Sequence, residues 1–229
     1  FPFYNAIITS LQTGQDLFLP SYLPTSFHWE NYATALVQNG VGRSLANSVL
    51  VATVTVGGCL LVSITGAFAL ARIRFRGQRA LLFTILCVSM FPQVAVLSGM
   101  FELVRFLGLY DSLGALVVSY TTFSLPFTIW VLTTFMKNIP VELEEAAIVD
   151  GASLWVIITR VFMPILGPAL VTTGLLAFIG AWNEYIYAYT FLTRHDQMTL
   201  PVGIQLYQGE FAFPWPVISA ALVVGIVPV

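Results

Sequence analysis

The chain has 229 residues, of which 58% are hydrophobic and 9% are charged, and its formal net charge is −2. Soluble domains carry roughly 25% charged residues, so this composition excludes an ordinary soluble domain and favours residence in a membrane. The sequence offers no basic face to hold phosphates, which excludes nucleic acid as a partner.

Apolar runs divide the chain into six predicted spans. A helix needs about 20 such residues to cross about 30 Å of hydrocarbon. The first and last runs are short, and we expect each to be part of a longer span. In chain order the predicted spans cover residues 1–11, 44–71, 80–101, 112–136, 164–192 and 214–229. The sequence therefore predicts an all-α membrane protein with a single transmembrane domain over residues 1–229.

Proline residues lie inside or at the start of three of these spans, at Pro92, Pro126 and Pro168. Proline frees a backbone carbonyl and kinks a helix, although neighbouring helices can satisfy the freed group inside a membrane. Such kinks are common in membrane bundles, and they suit a bundle that must change shape.

Arginine residues set the predicted orientation. The loop between the second and third spans, A-R-I-R-F-R-G-Q-R at 71–79, is strongly basic, and basic loops face the cytoplasm. Alternation then places residues 137–163 and both termini in the cytoplasm. Residues 12–43, 102–111 and 193–210 are predicted to lie outside.

The inner loop concentrates acidic residues. Residues 140–153, P-V-E-L-E-E-A-A-I-V-D-G-A-S, hold four of the 11 acidic residues of the chain. A proline suits the first turn of a helix, and Glu142 and Glu144 then lie near the positive end of its dipole. Small residues beside the carboxylates and a turn at Gly151 indicate a docking helix, followed by a second helix over 154–162. A solvated surface helix is the plainer alternative.

This segment resembles a pattern of the membrane subunits of binding-protein-dependent ABC importers. The pattern is E-A-A, three residues, Gly, nine residues and then I-x-L-P. The matching positions are Glu145, Ala146, Ala147, Gly151, Val161, Met163 and Pro164. Valine and methionine depart from the pattern but conserve volume approximately.

Other stretches are similar to the sugar-uptake branch of these permeases, which serves maltose, glycerol phosphate and similar solutes. Their order and spacing together support the resemblance more than any one of them does. They are W-E-N-Y at 29–32, A-N-S-V-L at 46–50, L-G-L-Y-D-S at 107–112, L-P-F-T-I-W at 125–130, W-N-E-Y at 182–185 and L-P-V-G-I-Q at 200–205.

The resemblance implies a type I ABC importer permease fold, which forms half of a translocation pathway for a sugar or sugar-like solute. It also implies that a coupling helix between spans 4 and 5 docks on a separate ATPase dimer. The implied docking residues are Glu145, Ala146, Ala147, Asp150, Gly151 and Pro164.

A P-loop in this chain is excluded. A P-loop requires Gly-Lys-Ser/Thr, whereas the only lysine, Lys137, follows Met136. We therefore expect no cofactor on this chain, and ATP with its Mg²⁺ on the partner ATPase. The other implied partners are a second permease subunit, expected to be a different homologous chain, an extracytoplasmic solute-binding protein and membrane lipid. The implied location is the plasma membrane of a bacterium or archaeon.

Polar and aromatic residues within the spans are candidates for the solute pathway, because aromatic faces with amide and hydroxyl groups suit a sugar. An aromatic belt at the membrane interface is the alternative for the tyrosines. An ionisable group at membrane depth is a functional candidate by default, although Glu184 could equally be a structural hydrogen-bond partner. The candidates are Gln93, Tyr120, Asn183, Glu184 and Tyr187.

Three other functions stay open at this point. They are a proton-coupled secondary transporter that uses Glu184, an ABC permease for a non-sugar solute, and a scaffold that only recruits a partner. Secondary carriers often contain internal repeats, and we find none in the sequence. An enzyme is not expected, because the isolated His28 and His195 can build neither a catalytic set nor a metal site.

Overall fold

The computed structural model describes residues 2–13, 16–17, 23, 27–206 and 214–228. All regular structure within these ranges is helical, as the sequence predicts. In chain order the helices are α1 (Pro2–Leu11), α2 (Glu30–Ala33), α3 (Val41–Arg72), α4 (Gln78–Ser89), α5 (Leu97–Phe106), α6 (Leu113–Lys137), α7 (Val141–Val149), α8 (Leu154–Val156), α9 (Met163–Ile165), α10 (Gly167–Asn183), α11 (Ile186–Phe191), α12 (Leu200–Leu206) and α13 (Trp215–Ile226). Wider π-helical turns follow α2 and α8, and 3-10 turns precede α5 and α12. Parts of the predicted outer loops 12–43 and 193–210 lie outside the described residues.

Two of the described helices, α3 and α6, are long and apolar enough to cross a membrane. They coincide with the predicted spans 44–71 and 112–136 to within a few residues. Two bent helix pairs pass the same test of length and composition, which raises the number of candidate crossings in the described residues to up to four.

The predicted span 80–101 is not one continuous helix, and its break lies at Pro92, where the sequence predicts a kink. It divides into α4 and a second helical stretch, Gln93–Phe106, and the two meet at an angle of 98°. Pro92 lies at the break with an extended backbone, φ −66° and ψ 123°. Because proline has no N–H to donate and disfavours helical geometry in the preceding residue, the helix ends before it.

The predicted span 164–192 is also discontinuous. It begins in a bend of 82° between Leu154–Ile165 and Gly167–Asn183, next to Pro168 in the first turn of α10. It is interrupted again between α10 and α11. Pro126, in contrast, lies within the unbroken helix α6.

The chain folds as two compact units, and the prediction of a single domain stays a prediction. The first unit comprises residues 1–50, 109–113 and 182–229. In it α1 packs against α13. The buried Asn31 donates from its amide to the carbonyls of Ser10, at 2.9 Å, and Gln12, at 3.1 Å. These bonds satisfy carbonyls that the end of α1 leaves open.

Side chains near the start of α3 hold the segment before α12 in the same unit. Asn47 donates to the carbonyls of Asp196, at 3.1 Å, and Met198, at 3.0 Å. Ser48 accepts from the backbone N–H of Leu200 at 2.8 Å. Such bonds stabilise the fold, because leaving a buried polar group unpaired costs about 1–3 kcal/mol.

The second unit comprises residues 51–108 and 114–181. Its core cluster brings together α3, α6, the segment after α8, and α10. Phe68 and Phe162 meet edge to face in this cluster, with ring centroids 5.5 Å apart. The buried members are Ile64, Ala67, Phe68, Leu132, Met136, Ile139, Ile157, Ile158, Phe162, Leu166 and Ala169.

Candidate coupling surface and solute contacts

Helix α7 is delimited by its own sequence. Pro140 precedes it with an extended backbone, and Glu142 and Glu144 lie in its first turn, where negative charge suits the helix dipole. Gly151 ends it with φ +77°, a left-handed conformation that costs other residues roughly 1–2 kcal/mol.

The end of α7 is a Schellman motif. The N–H of Gly151 donates to the carbonyl of Ile148, and the N–H of Ala152 donates to the carbonyl of Ala147, each at 2.9 Å. Ser153 then begins α8 by accepting from the N–H of Val156 at 3.4 Å. The turn between the two short helices is therefore fixed by backbone bonds and one hydroxyl.

The residues of the E-A-A pattern divide between two sides of α7. Glu145, Ala146 and Asp150 are exposed. Ala147 instead packs, partly buried, against the core cluster of the second unit. Of the two alanines, only Ala146 is exposed. Pro164 is exposed in α9.

Large apolar side chains are exposed on both sides of the Gly151 turn. Val149 is 87% exposed, and Leu154 and Trp155 are each 61% exposed. Exposed apolar groups bordered by carboxylates are typical of protein interaction sites. The sequence analysis did not select these three residues, although a Trp in a loop that is predicted to be cytoplasmic could have indicated a contact site.

Gln93 lies in the second unit and lines a cavity of about 500 Å³. Its walls are mostly apolar. They include Val88, Phe91, Met100, Phe123 and Pro126, together with Thr84 and Thr122. A mostly apolar cavity with a few convergent polar groups is the usual form of a small-molecule site. Tyr120, in the same unit, is 4% exposed and is not among the lining residues.

The other three candidate solute residues lie in the first unit, around the break between α10 and α11. Asn183 is exposed, whereas Tyr187 is buried and meets Phe191 edge to face at 5.3 Å. The carboxylate of Glu184 accepts from the N–H of Tyr187 at 2.9 Å and from the N–H of Ala188 at 3.2 Å. Glu184 thus satisfies two N–H groups that the first turn of α11 leaves open.

Asp111 joins two predicted outer loops within the first unit. Its carboxylate accepts from the N–H of Thr193 at 2.7 Å and from the N–H of Arg194 at 3.2 Å. Its own N–H donates to the carbonyl of Phe191 at 3.1 Å. The hydrogen bond from Thr193 holds the pKa of Asp111 below its ordinary value, with the bond from Arg194 adding to the effect.

We expect Asp111→Asn to loosen this loop junction at neutral pH but not in acid. Because the folded pKa is depressed, the contribution of the carboxylate is present at neutral pH and is lost as the pH falls below about 4. Asparagine tolerates the positive φ of 58° at this position, so backbone strain stays low. Amide hydrogen exchange at Thr193 and Arg194 should be a few-fold faster in the variant at pH 7, and the difference should vanish in acid. Equal exchange at pH 7 would show that the carboxylate does not hold the loop, and Asp150→Asn is the matched control.

Comparison with known proteins gives a consistent set of relatives. The family model described as "Binding-protein-dependent transport system inner membrane component" matches residues 60–229. The chain is 42% identical to the sulfoquinovosyl glycerol transport system permease protein SmoH of Agrobacterium fabrum, over 100% of this chain and 81% of that protein. It is 33% identical to the trehalose/maltose transport system permease protein MalG of Thermococcus litoralis, over 100% of this chain and 83% of that protein.

A solved structure shares the fold. It is a chain from the crystal structure of a bacterial ABC transporter involved in the import of the acidic polysaccharide alginate. The match has a TM-score of 0.88 and 25% sequence identity, and it covers 100% of this chain and 86% of that chain.

Proposed function

Because the chain belongs to the family of binding-protein-dependent transport system inner membrane components, as a permease subunit of a sugar ABC importer, we propose that α7 and the turn after it dock on the separate ATPase subunit. One observation carries this proposal. A short helix with the E-A-A and Gly spacing exposes Glu145, Ala146 and Asp150, while Ala147 packs against the core. A helix that transmits motion needs both an exposed docking surface and a fixed attachment.

Val149→Cys tests the docking proposal by crosslinking. In a Cys87→Ala background, a thiol at this 87% exposed position should crosslink to the ATPase in membranes that contain the assembled transporter. Phe106→Cys is the matched control, since Phe106 is also 87% exposed but is predicted to lie outside. Crosslinking of both positions, or of neither, to the ATPase would contradict the proposal.

For the membrane topology we propose six spans with both termini in the cytoplasm. The helices α3 and α6 each supply one span, and the bent pairs around Pro92 and Leu166 supply two broken ones. The terminal helices α1 and α13 belong to the remaining two. Broken helices are tolerated in membranes where other protein groups satisfy the freed backbone.

We further propose that the chain forms half of the solute pathway. Gln93 lines a cavity that suits a ligand with apolar and polar faces. Tyr120, Asn183, Glu184 and Tyr187 stay candidates for solute contact. The relatives named above transport sulfoquinovosyl glycerol and trehalose or maltose, which supports a carbohydrate as the solute.

The proposed assembly follows from the importer class. A second, different permease subunit would complete the pathway, and a solute-binding protein would meet the outer loops that Asp111 joins. ATP and Mg²⁺ would bind the ATPase dimer at the inner face. The membrane would be the plasma membrane of a bacterium or archaeon. The family match favours this ATP-driven importer over a secondary transporter or a scaffold.

A further inference from the structure

We infer that Arg72 is a positioning residue that ties α7 to the cytoplasmic end of α3, so that movement of α7 is passed to a membrane-spanning helix. The inference rests on the proposed docking of α7 on the ATPase. Arg72 lies outside the E-A-A pattern, in the basic segment 71–79, which the sequence analysis used only to predict the orientation of the chain in the membrane.

Arg72 contacts three separate segments of the second unit. Its Nε lies 3.2 Å from Oε2 of Glu144 in α7. Its Nη2 donates to the carbonyl of Ile139, in the loop before α7, at 2.7 Å. Its Cζ lies 5.0 Å from the ring centroid of Phe162, in the segment after α8. One planar side chain therefore connects the end of α3 with chain on both sides of the docking helix and with the helix itself.

The ion pair is shielded from water. The side chain of Arg72 is 11% exposed and that of Glu144 is 14% exposed. Shielded charges attract each other more strongly than the exposed pairs typical of a protein surface. The neighbouring Arg74, Arg76 and Arg79 are all exposed, which sets Arg72 apart within its own loop.

The positions of the two charges suit the helices that carry them. Arg72 is the last residue of α3, where positive charge is favourable, and Glu144 is in the first turn of α7, where negative charge is favourable. The guanidinium also offers several donors in one plane and stacks on an aromatic face, which a lysine cannot reproduce.

Adjacent glutamates thus have different tasks. Glu144 is held inward by Arg72, whereas Glu145 is exposed for docking. At the other end of α7, Ala147 and Ala152 pack against the same core cluster as Ala71, the neighbour of Arg72. Since α7 is fixed at both ends, a force on its outer surface moves α3 with it and does not tilt α7 alone.

The test uses the transporter reconstituted in lipid vesicles with its ATPase, second permease subunit and solute-binding protein. Arg72→Gln and Glu144→Gln should each still copurify with the ATPase, because the docking surface is untouched. Solute imported per ATP hydrolysed should fall about tenfold, within the usual range for coupling between linked sites. The conservative variant Glu144→Asp, which keeps the negative charge that Glu144→Gln removes, should retain a clear part of this ratio, which a defect of shape alone would not predict. Arg74→Gln, which removes an exposed positive charge nearby, is the matched control and should keep the wild-type ratio.

A second measurement tests the connection between α3 and α7 directly. In a Cys59→Ser/Cys87→Ser background, spin labels at Val149→Cys and Ile73→Cys should give a narrow distance distribution. Arg72→Gln and Glu144→Gln should broaden this distribution, whereas Glu144→Asp should keep it close to the wild-type width.

Unchanged coupling ratios in both glutamine variants, or a Glu144→Asp variant that is coupled no better than Glu144→Gln, would overturn the inference. If the Arg72→Gln chain does not assemble into the transporter, the Glu144→Gln variant provides the test, because it leaves the hydrogen bond from Arg72 to the carbonyl of Ile139 in place. A wild-type chain that does not copurify with any ATPase would refute the proposed docking instead. The distances between the spin labels would still show whether Arg72 and Glu144 connect α3 with α7.

Discussion

Glu145→Lys is expected to prevent stable association of the permease with its ATPase and to abolish ATP-driven uptake. Glu145 is exposed on the outer side of α7. Reversing its charge removes a docking contact and places a like charge against the partner group, which should weaken association by about 2–5 kcal/mol. Folding of the permease should be unaffected, since the side chain is exposed. Copurification in mild detergent and uptake into vesicles measure the two effects.

Glu102→Lys is the matched control for that experiment. It makes the same charge change at an exposed position in α5, which is predicted to lie outside. It should leave copurification with the ATPase at the wild-type level. A Glu145→Lys chain that inserts normally, copurifies with the ATPase and imports solute would contradict the docking proposal.

Glu184→Ala is expected to reduce both stability and uptake, whereas Glu184→Gln should keep most of each. The carboxylate accepts two N–H bonds at the start of α11. Alanine removes both acceptors and should lower the free energy of unfolding by about 1–2 kcal/mol, as loss of a helix cap does. Glutamine retains one acceptor oxygen. Thermal unfolding in detergent and uptake into vesicles measure these effects.

The same pair of variants distinguishes a cap from a proton carrier. A carrier carboxylate cannot be replaced by glutamine, so Glu184→Gln would be as inactive as Glu184→Ala. Uptake would also collapse when a protonophore is added. We expect neither result, because we propose that ATP bound by a partner subunit drives the import. Equal loss of uptake in both variants, with protonophore sensitivity, would count against the cap.

The sequence was sufficient for the class of protein and for the position of helix α7, whereas its docking role stays a proposal. Low charge and long apolar runs require a membrane, whatever the tertiary fold. The start and end of α7 could also be predicted from local sequence, since Pro140 and Gly151 act through their own backbone preferences. Whether each span is continuous could not be predicted from the sequence, because an apolar run of sufficient length looks the same whether the helix is straight or bent. Pro92 lies at a break and Pro126 within an unbroken helix.

Several short stretches pointed to the right family without revealing what their residues do. Asn31 bonds to the end of α1, Asn47 holds the segment before α12, and Asp111 joins two loops. Each partner is distant in sequence, so no local pattern could identify it. The bonds depend on which backbone groups the fold leaves unsatisfied nearby.

What the sequence alone determined is therefore a helical membrane permease with an acidic helical segment within residues 140–153. What only the tertiary structure decided is which carboxylate of that segment faces which way. Glu144 and Glu145 are adjacent and chemically alike, and α7, with nine residues, is too short for periodicity to separate them. The difference arises because Arg72, at the end of a helix far earlier in the chain, approaches one side of α7 and forms an ion pair with Glu144 there.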